Sequence, residues 1–72
     1  MSDTGGYAWY YNAGDGVAYW GLCCNMSCLQ FAKEISPLVN KNLQEKDIGQ
    51  IRSRTEFEKT KKRVYRKLIE IK

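Results

Sequence analysis

The 72-residue chain contains no histidine, only one proline and no glycine-rich phosphate-binding motif. Histidine is the side chain whose ordinary pKa best suits proton transfer near neutral pH, so its absence removes the commonest catalytic base and a common metal ligand. The acidic residues are scattered, and Glu56 with Glu58 fits the first turn of a helix better than a catalytic pair. The sequence therefore predicts a protein that is not an enzyme and that needs no cofactor.

The sequence also lacks long apolar runs and an even number of cysteines. No segment approaches the roughly 20 apolar residues of a membrane-spanning helix, and the first residues, MSDTGG, do not resemble a signal peptide. The three cysteines, Cys23, Cys24 and Cys28, fit poorly with the disulfide framework of a secreted domain. We expect a cytoplasmic protein with reduced thiols and no membrane partner.

Charge is divided unevenly along the chain. Residues 1–44 carry a net charge of −1, whereas residues 45–72 carry ten Lys or Arg against five Asp or Glu, a net charge of +5. A basic segment of this kind favours polyanions such as nucleic acid. The alternative interpretation is a solvated helix surface with no ligand.

The segment Tyr7–Glu34 contains most of the aromatic residues and predicts a β-hairpin. Strands are expected at Tyr7–Tyr11 and Val17–Leu22 around a loop at Asn12–Gly16, with Tyr11 opposite Val17. Alternation then places large rings on both faces. Because so short a chain is expected to cover one face only, the other face should bind a protein partner. The predicted partner-binding residues are Tyr7, Trp9, Tyr11 and Tyr19.

The rest of the chain predicts helices. Ser27 with Gln30 forms a capping-box pattern at the start of a first helix. Ser36-Pro37 should interrupt this helix, and it can equally start a second short helix with Ser36 as its N-cap. Residues 44–54 form a polar connector, and residues 55–72 a basic amphipathic helix. The predicted fold is therefore a small single α+β domain. A hairpin-and-helix head with its connector occupies residues 1–54, and the hairpin packs on two or three helices.

The final predicted helix has one apolar and one basic side. Phe57, Val64, Leu68 and Ile71 recur at helical spacing and should face the core. The cations cluster away from that stripe and could contact phosphates weakly and without sequence preference. The predicted nucleic-acid-binding residues are Lys59, Lys62, Arg63, Arg66 and Lys67.

The cysteine spacing around residues 17–34 resembles the second knuckle of treble-clef zinc domains, in which a strand ends in C-S-x-x-C at a helix start. The resemblance implies a zinc site, for which the candidate ligands are Cys23, Cys24, Cys28 and one carboxylate such as Asp3 or Asp15. No preceding C-x-x-C knuckle and no histidine are present to complete four ligands, so the favoured interpretation is no metal. Small buried thiols that pack as hydrophobic side chains are the favoured interpretation, and thiol reactivity is a further option.

In size and composition the chain resembles small phage-encoded proteins that bind host RNA polymerase. This resemblance implies a regulator in the host-cell cytoplasm that attaches to a polymerase subunit through the aromatic hairpin and inhibits or antiterminates transcription. A nucleic-acid-binding regulator, with or without a degenerate zinc knuckle, is the alternative function.

Overall fold

The computed structural model describes residues 6–64 and 66–71. The four described strands form one sheet in the order β3-β1-β2-β4, and the hairpin β1-β2 lies at its centre. The predicted mixed α+β fold with an N-terminal hairpin is confirmed. In chain order the elements are β1 (Ala8–Asn12), β2 (Val17–Leu22), α1 (Cys28–Val39), a 3₁₀ turn (Glu45–Asp47), β3 (Gly49–Ile51), α2 (Arg54–Val64) and β4 (Lys67–Ile71).

The hairpin forms as predicted but in a different register. Tyr11 lies opposite Tyr19, not Val17, so every partner is shifted by two residues. The loop explains the shift: Asn12 and Asp15 accept hydrogen bonds from the main-chain N–H groups of Gly14 at 2.9 Å and Val17 at 3.2 Å. Because side chains alternate with a period of two, a two-residue shift leaves each strand residue on its predicted face.

The two helices lie on opposite faces of the sheet. β2, β3 and β4 all run in one direction, because β2 and β3 are antiparallel to β1 and β4 is parallel to β2. The connection through α1 crosses from β2 to the β3 edge, and the connection through α2 crosses back to the β4 edge. Right-handed crossovers that run in opposite directions place their helices on opposite faces.

Each face consequently has its own apolar core. On one face Phe31, Ala32 and Ile35 of α1 are buried against the half-buried Trp9, Tyr11, Tyr19 and Ile71. On the other face Phe57 of α2 is buried with Ala8 and Ile51, against the half-buried Tyr10, Trp20 and Leu68. The expectation that one aromatic face stays open is therefore wrong, since the sheet-crossing connections give 72 residues enough helix to cover both.

Helix α1 begins as predicted and continues further than predicted. The Ser27 side chain accepts a hydrogen bond from the N–H of Gln30 at 3.1 Å, which confirms the N-cap. The helix runs through Pro37 to Val39, so the predicted interruption is wrong. Proline removes the N–H that would bond the carbonyl four residues earlier, but α1 ends two residues later and loses little by it.

The last quarter of the chain differs most from its prediction. Helix α2 starts at Arg54, where Ser53 accepts the N–H of Glu56 at 3.1 Å, but the helix is followed by strand β4 instead of continuing to residue 72. The sequence KLIEI fits a strand as well as a helix. Pairing with β2 provides hydrogen-bond partners for main-chain N–H and C=O groups of both strands. The polar connector likewise contains strand β3. Leu68 and Ile71 therefore belong to different cores, not to one helical stripe.

Candidate functional site

The four predicted partner-binding residues do not form one surface. Trp9, Tyr11 and Tyr19 pack towards α1, whereas the ring of Tyr7 lies on the other side with its centroid 5.7 Å from that of Phe57. The alternation of side chains along a strand predicts that Tyr7 shares a face with Trp9 and Tyr11. Tyr7 precedes β1, so this alternation does not apply to it. Among the described aromatic side chains none is exposed; each is buried or half-buried.

The exposed functional groups that remain are cations on α2. Phe57 is buried and fixes the inward direction of this helix. At 3.6 residues per turn, Lys59, Lys62 and Arg63 project within an arc of about 100° on the opposite side. All three are exposed, as predicted from the helical period. We call these three side chains the cationic surface.

Few carboxylates neutralise this part of the molecule. Residues 54–71 carry seven Lys or Arg and three Glu, a net charge of +4. Glu56 accepts the main-chain N–H of Arg52 at 3.0 Å, and Glu58 pairs with Lys61 at 3.1 Å. Within the described residues the cationic surface makes no ion pair, so its charges are available to an external anion.

Lys61 has a different role from its neighbours and is not one of the predicted nucleic-acid-binding residues. Its ammonium lies 5.6 Å from the centroid of the Phe57 ring, besides its ion pair with Glu58. A cation over an aromatic face is attracted by the ring, and the lysine stem covers apolar surface. Lys61 therefore contributes to packing on the sheet side of α2.

The two remaining predicted cations lie beyond the helix. The Arg66 guanidinium donates to the carbonyl oxygen of Asp15 at 3.2 Å and occupies the space in which a Cβ on Gly16 would stand. Lys67 is exposed, begins β4 and lies beside Val17. Arg66 is only three residues after Arg63, so a chain segment of at most about 11 Å connects them. Arg66 therefore extends the cationic surface towards the hairpin loop, whereas Lys67 alternates with Leu68 and starts from the α1 face of the sheet.

The three cysteines lie near the start of α1, at the opposite end of β2 from the hairpin loop. Burial raises the pKa of the Cys23 thiol, although a hydrogen bond with Gln50 lowers it in part. Burial, then the charge of Glu45, raises the pKa of Cys28, whose Sγ lies 3.8 Å from the Glu45 carbonyl oxygen. These two thiols are consequently poor nucleophiles. Across the described residues, no group of three or more Cys, Asp or Glu is placed to hold a metal ion.

Two further findings describe the chain as a whole. In the part that the structure describes, no helix is long and apolar enough to cross a membrane. Comparison of the chain with known protein families, with curated proteins and with solved structures gave no significant match.

Proposed function

We propose that this protein is a non-enzymatic, cytoplasmic regulator that binds nucleic acid through the cationic surface of α2, extended by Arg66. The observation that carries the proposal is the projection of Lys59, Lys62 and Arg63 from one side of a helix with no carboxylate paired to them among the described residues. Lys and Arg side chains neutralise phosphates and release condensed counterions on binding. This contact is independent of base sequence.

The aromatic side chains support this assignment by their placement. Base stacking requires exposed rings, and the described Tyr and Trp side chains are half-buried beneath the two helices. The protein therefore contacts the phosphate backbone of a duplex or single strand, not a series of splayed bases. Attachment to an RNA polymerase subunit through Tyr7, Trp9, Tyr11 and Tyr19 stays a prediction, and the covering of both sheet faces removes its main physical argument.

One groove on the described surface has little that suits catalysis. A shallow groove at the C-terminal end of α1 is lined by Ser36, Pro37, Asn40, Lys41 and Asn42. It contains one ionisable group, and acid–base chemistry requires a positioned acid or base close to a substrate-binding cavity. The groove therefore adds no support for an enzyme.

Fluorescence anisotropy with a labelled DNA duplex of arbitrary sequence tests the proposal. Wild type should bind with a dissociation constant of about 1–100 µM at physiological salt, the range of non-specific contacts, and more tightly at low salt. The triple variant Lys59→Gln/Lys62→Gln/Arg63→Gln should bind at least about tenfold more weakly, because three phosphate contacts are lost. Glutamine keeps a high helix propensity, so α2 should remain folded.

A matched control separates a specific surface from net charge. Lys33, Lys41 and Lys46 are also exposed, and their replacement by Gln changes the net charge by the same three units. We expect this second triple variant to bind the duplex nearly as well as wild type. Equal losses in the two variants would show a general charge effect, and absence of binding by wild type at low salt would reject the proposal.

A further inference from the structure

Strand β4 forms an edge of the sheet. Lys67–Ile71 pairs with β2 on its inner side, and in the described part of the chain no strand pairs with its outer side. The main-chain N–H and C=O groups on such an edge are a template for another strand. The opposite edge, β3, has only three residues, so β4 with five is the longer template.

The charges near β4 are arranged so that a second copy of the chain complements them. Arg66 precedes the strand, Lys67 begins it and Glu70 is its exposed acidic residue. Two copies paired antiparallel about a two-fold axis would each present the same strand to the other. Residues that lie directly opposite each other in an antiparallel pair point their side chains to the same face of the sheet. The two-fold axis must therefore pass midway between one residue and its own copy. An axis between two neighbouring residues would place side chains of opposite faces across from each other.

The charge pattern distinguishes the candidate registers. An axis beside Lys67 places two lysines opposite each other, and an axis beside Glu70 does the same with two glutamates; both arrangements are repulsive. An axis beside Ile69 places Leu68 opposite Glu70 and Lys67 opposite Ile71, which forms no pair of opposite charges. An axis beside Leu68 places Arg66 opposite Glu70 twice, Lys67 opposite Ile69 twice and Leu68 opposite its own copy. Of these four registers only the last forms opposite-charge pairs, and an axis beside Ile71 would pair no residue of β4 except Ile71 with its own copy.

We propose that β4 pairs antiparallel with β4 of a second copy of this chain, with Leu68 beside the two-fold axis and Arg66 opposite the second copy's Glu70. The product is a continuous sheet of eight strands, four from each copy. On pairing, Arg66 exchanges its contact with the Asp15 carbonyl oxygen for Glu70 of the second copy, because the Asp15 contact holds the guanidinium over Gly16 on the β2 side of β4. A pairing of five-residue strands is small, so the dimer is a weak one.

The symmetry has a consequence for the cationic surface. A two-fold axis perpendicular to the sheet places both α2 helices on the same face of the combined sheet, one on each side of the axis. Two cationic surfaces then face the same ligand. Once one surface has bound a long polyanion, the effective concentration of that polyanion at the other surface is raised. This step alone rests on the proposed nucleic-acid function, whereas the strand pairing stands without it.

Sedimentation equilibrium without nucleic acid tests the pairing directly. Wild type should show a reversible monomer–dimer equilibrium at concentrations up to about 1 mM. Arg66→Glu and Glu70→Arg each turn both attractive pairs into repulsive ones and should each weaken the dimer by about tenfold or more. The double variant Arg66→Glu/Glu70→Arg restores opposite charges and should recover the wild-type constant to within about threefold.

A charge exchange elsewhere on the chain is the control for the β4 variants. The exchange Lys33→Glu/Glu34→Lys lies on α1, away from β4, and should not change the monomer–dimer equilibrium. Far-UV circular dichroism reports whether each variant is folded; if loss of the Arg66 contact unfolds Arg66→Glu, Glu70→Arg alone decides. A monomeric wild type at about 1 mM, or a Glu70→Arg variant that dimerises like wild type, would overturn the proposal, whatever the result of the duplex-binding assay.

Discussion

The indole Nε1 of Trp9 donates a hydrogen bond to the main-chain carbonyl oxygen of Met26 at 2.9 Å. Trp9 lies in the central strand β1, and Met26 is buried just before the N-cap of α1. The hydrogen bond therefore fixes the start of α1 against the sheet. A ring with this task stabilises the fold and is a poor candidate for a residue whose main role is to bind a partner.

Substitution of Trp9 should lower the free energy of unfolding. Trp9→Phe removes the indole N–H and leaves the Met26 carbonyl unpaired, which should cost about 1–2 kcal/mol. Trp9→Ala also removes packing and should cost about 3 kcal/mol, enough to unfold much of so small a domain. Urea denaturation followed by circular dichroism measures both values.

Leu38 supplies the control for Trp9. Its side chain is 54% exposed, so Leu38→Ala should change the unfolding free energy by less than about 0.5 kcal/mol. If Trp9→Ala keeps the wild-type urea midpoint, Trp9 is not structural, and the partner-binding role predicted from the sequence regains its support.

Gly21 should not tolerate a side chain. A Cβ at this position would lie 3.0 Å from Cδ1 of Phe31, which is fully buried, and 3.4 Å from the carbonyl oxygen of Ile71. Gly21→Ala should therefore destabilise the protein by about 1–3 kcal/mol through overpacking. Thermal melting is a sufficient measurement.

Gly49 is the matched position on the other side of the hairpin. A Cβ there would meet only the Tyr10 carbonyl oxygen, at an ordinary 3.8 Å, so Gly49→Ala should be close to neutral. Equal melting temperatures for the two alanine variants would show that α1 and β4 do not meet at Gly21, and would contradict the described packing.

The local signals in the sequence predicted the elements that depend on neighbouring residues. The Ser27–Gln30 cap and the glycine-containing hairpin loop are both closed by contacts within a few residues. The identity of residues 67–71 could not be predicted in this way. Their pattern of apolar residues fits both the helical period and the strand period. Pairing with β2, about 50 residues earlier in the chain, makes this segment a strand.

The candidate site was partly predictable for the same reason. Helical periodicity correctly placed Lys59, Lys62 and Arg63 on one exposed side, because all three lie inside α2. It failed for Arg66 and Lys67, which lie beyond the helix end. The aromatic residues were assigned to an open face because the two sheet-crossing connections, which cover both faces, are not visible in local patterns.

Exposure should set the order in which the thiols react. Cys24 is exposed, whereas the pKa values of Cys23 and Cys28 are raised above their ordinary 9.0, chiefly by burial. Since the thiolate is the reactive form, iodoacetamide at about pH 8 should modify Cys24 first. Mass spectrometry of a time course identifies the order, and modification of Cys28 as fast as Cys24 would contradict it.

The same two thiols make stability depend on alkaline pH. Because their pKa values are higher in the folded than in the unfolded chain, their contribution to stability is complete below the unfolded pKa of about 9 and is lost as pH rises through the folded pKa. The variant Cys23→Ser/Cys28→Ser should therefore lose less stability than wild type between about pH 8 and pH 10.5. Identical losses in urea titrations would show that the thiols do not contribute.

The salt dependence of duplex binding tests the central claim most directly, since it counts phosphate contacts. In a plot of log Kobs against log salt concentration, Lys59→Gln/Lys62→Gln/Arg63→Gln should give a slope about 2.7 units less steep than wild type, because each lost contact removes about 0.9. The control variant Lys33→Gln/Lys41→Gln/Lys46→Gln should keep the wild-type slope. Superimposable slopes for wild type and the α2 variant would contradict the assignment of this surface to nucleic acid.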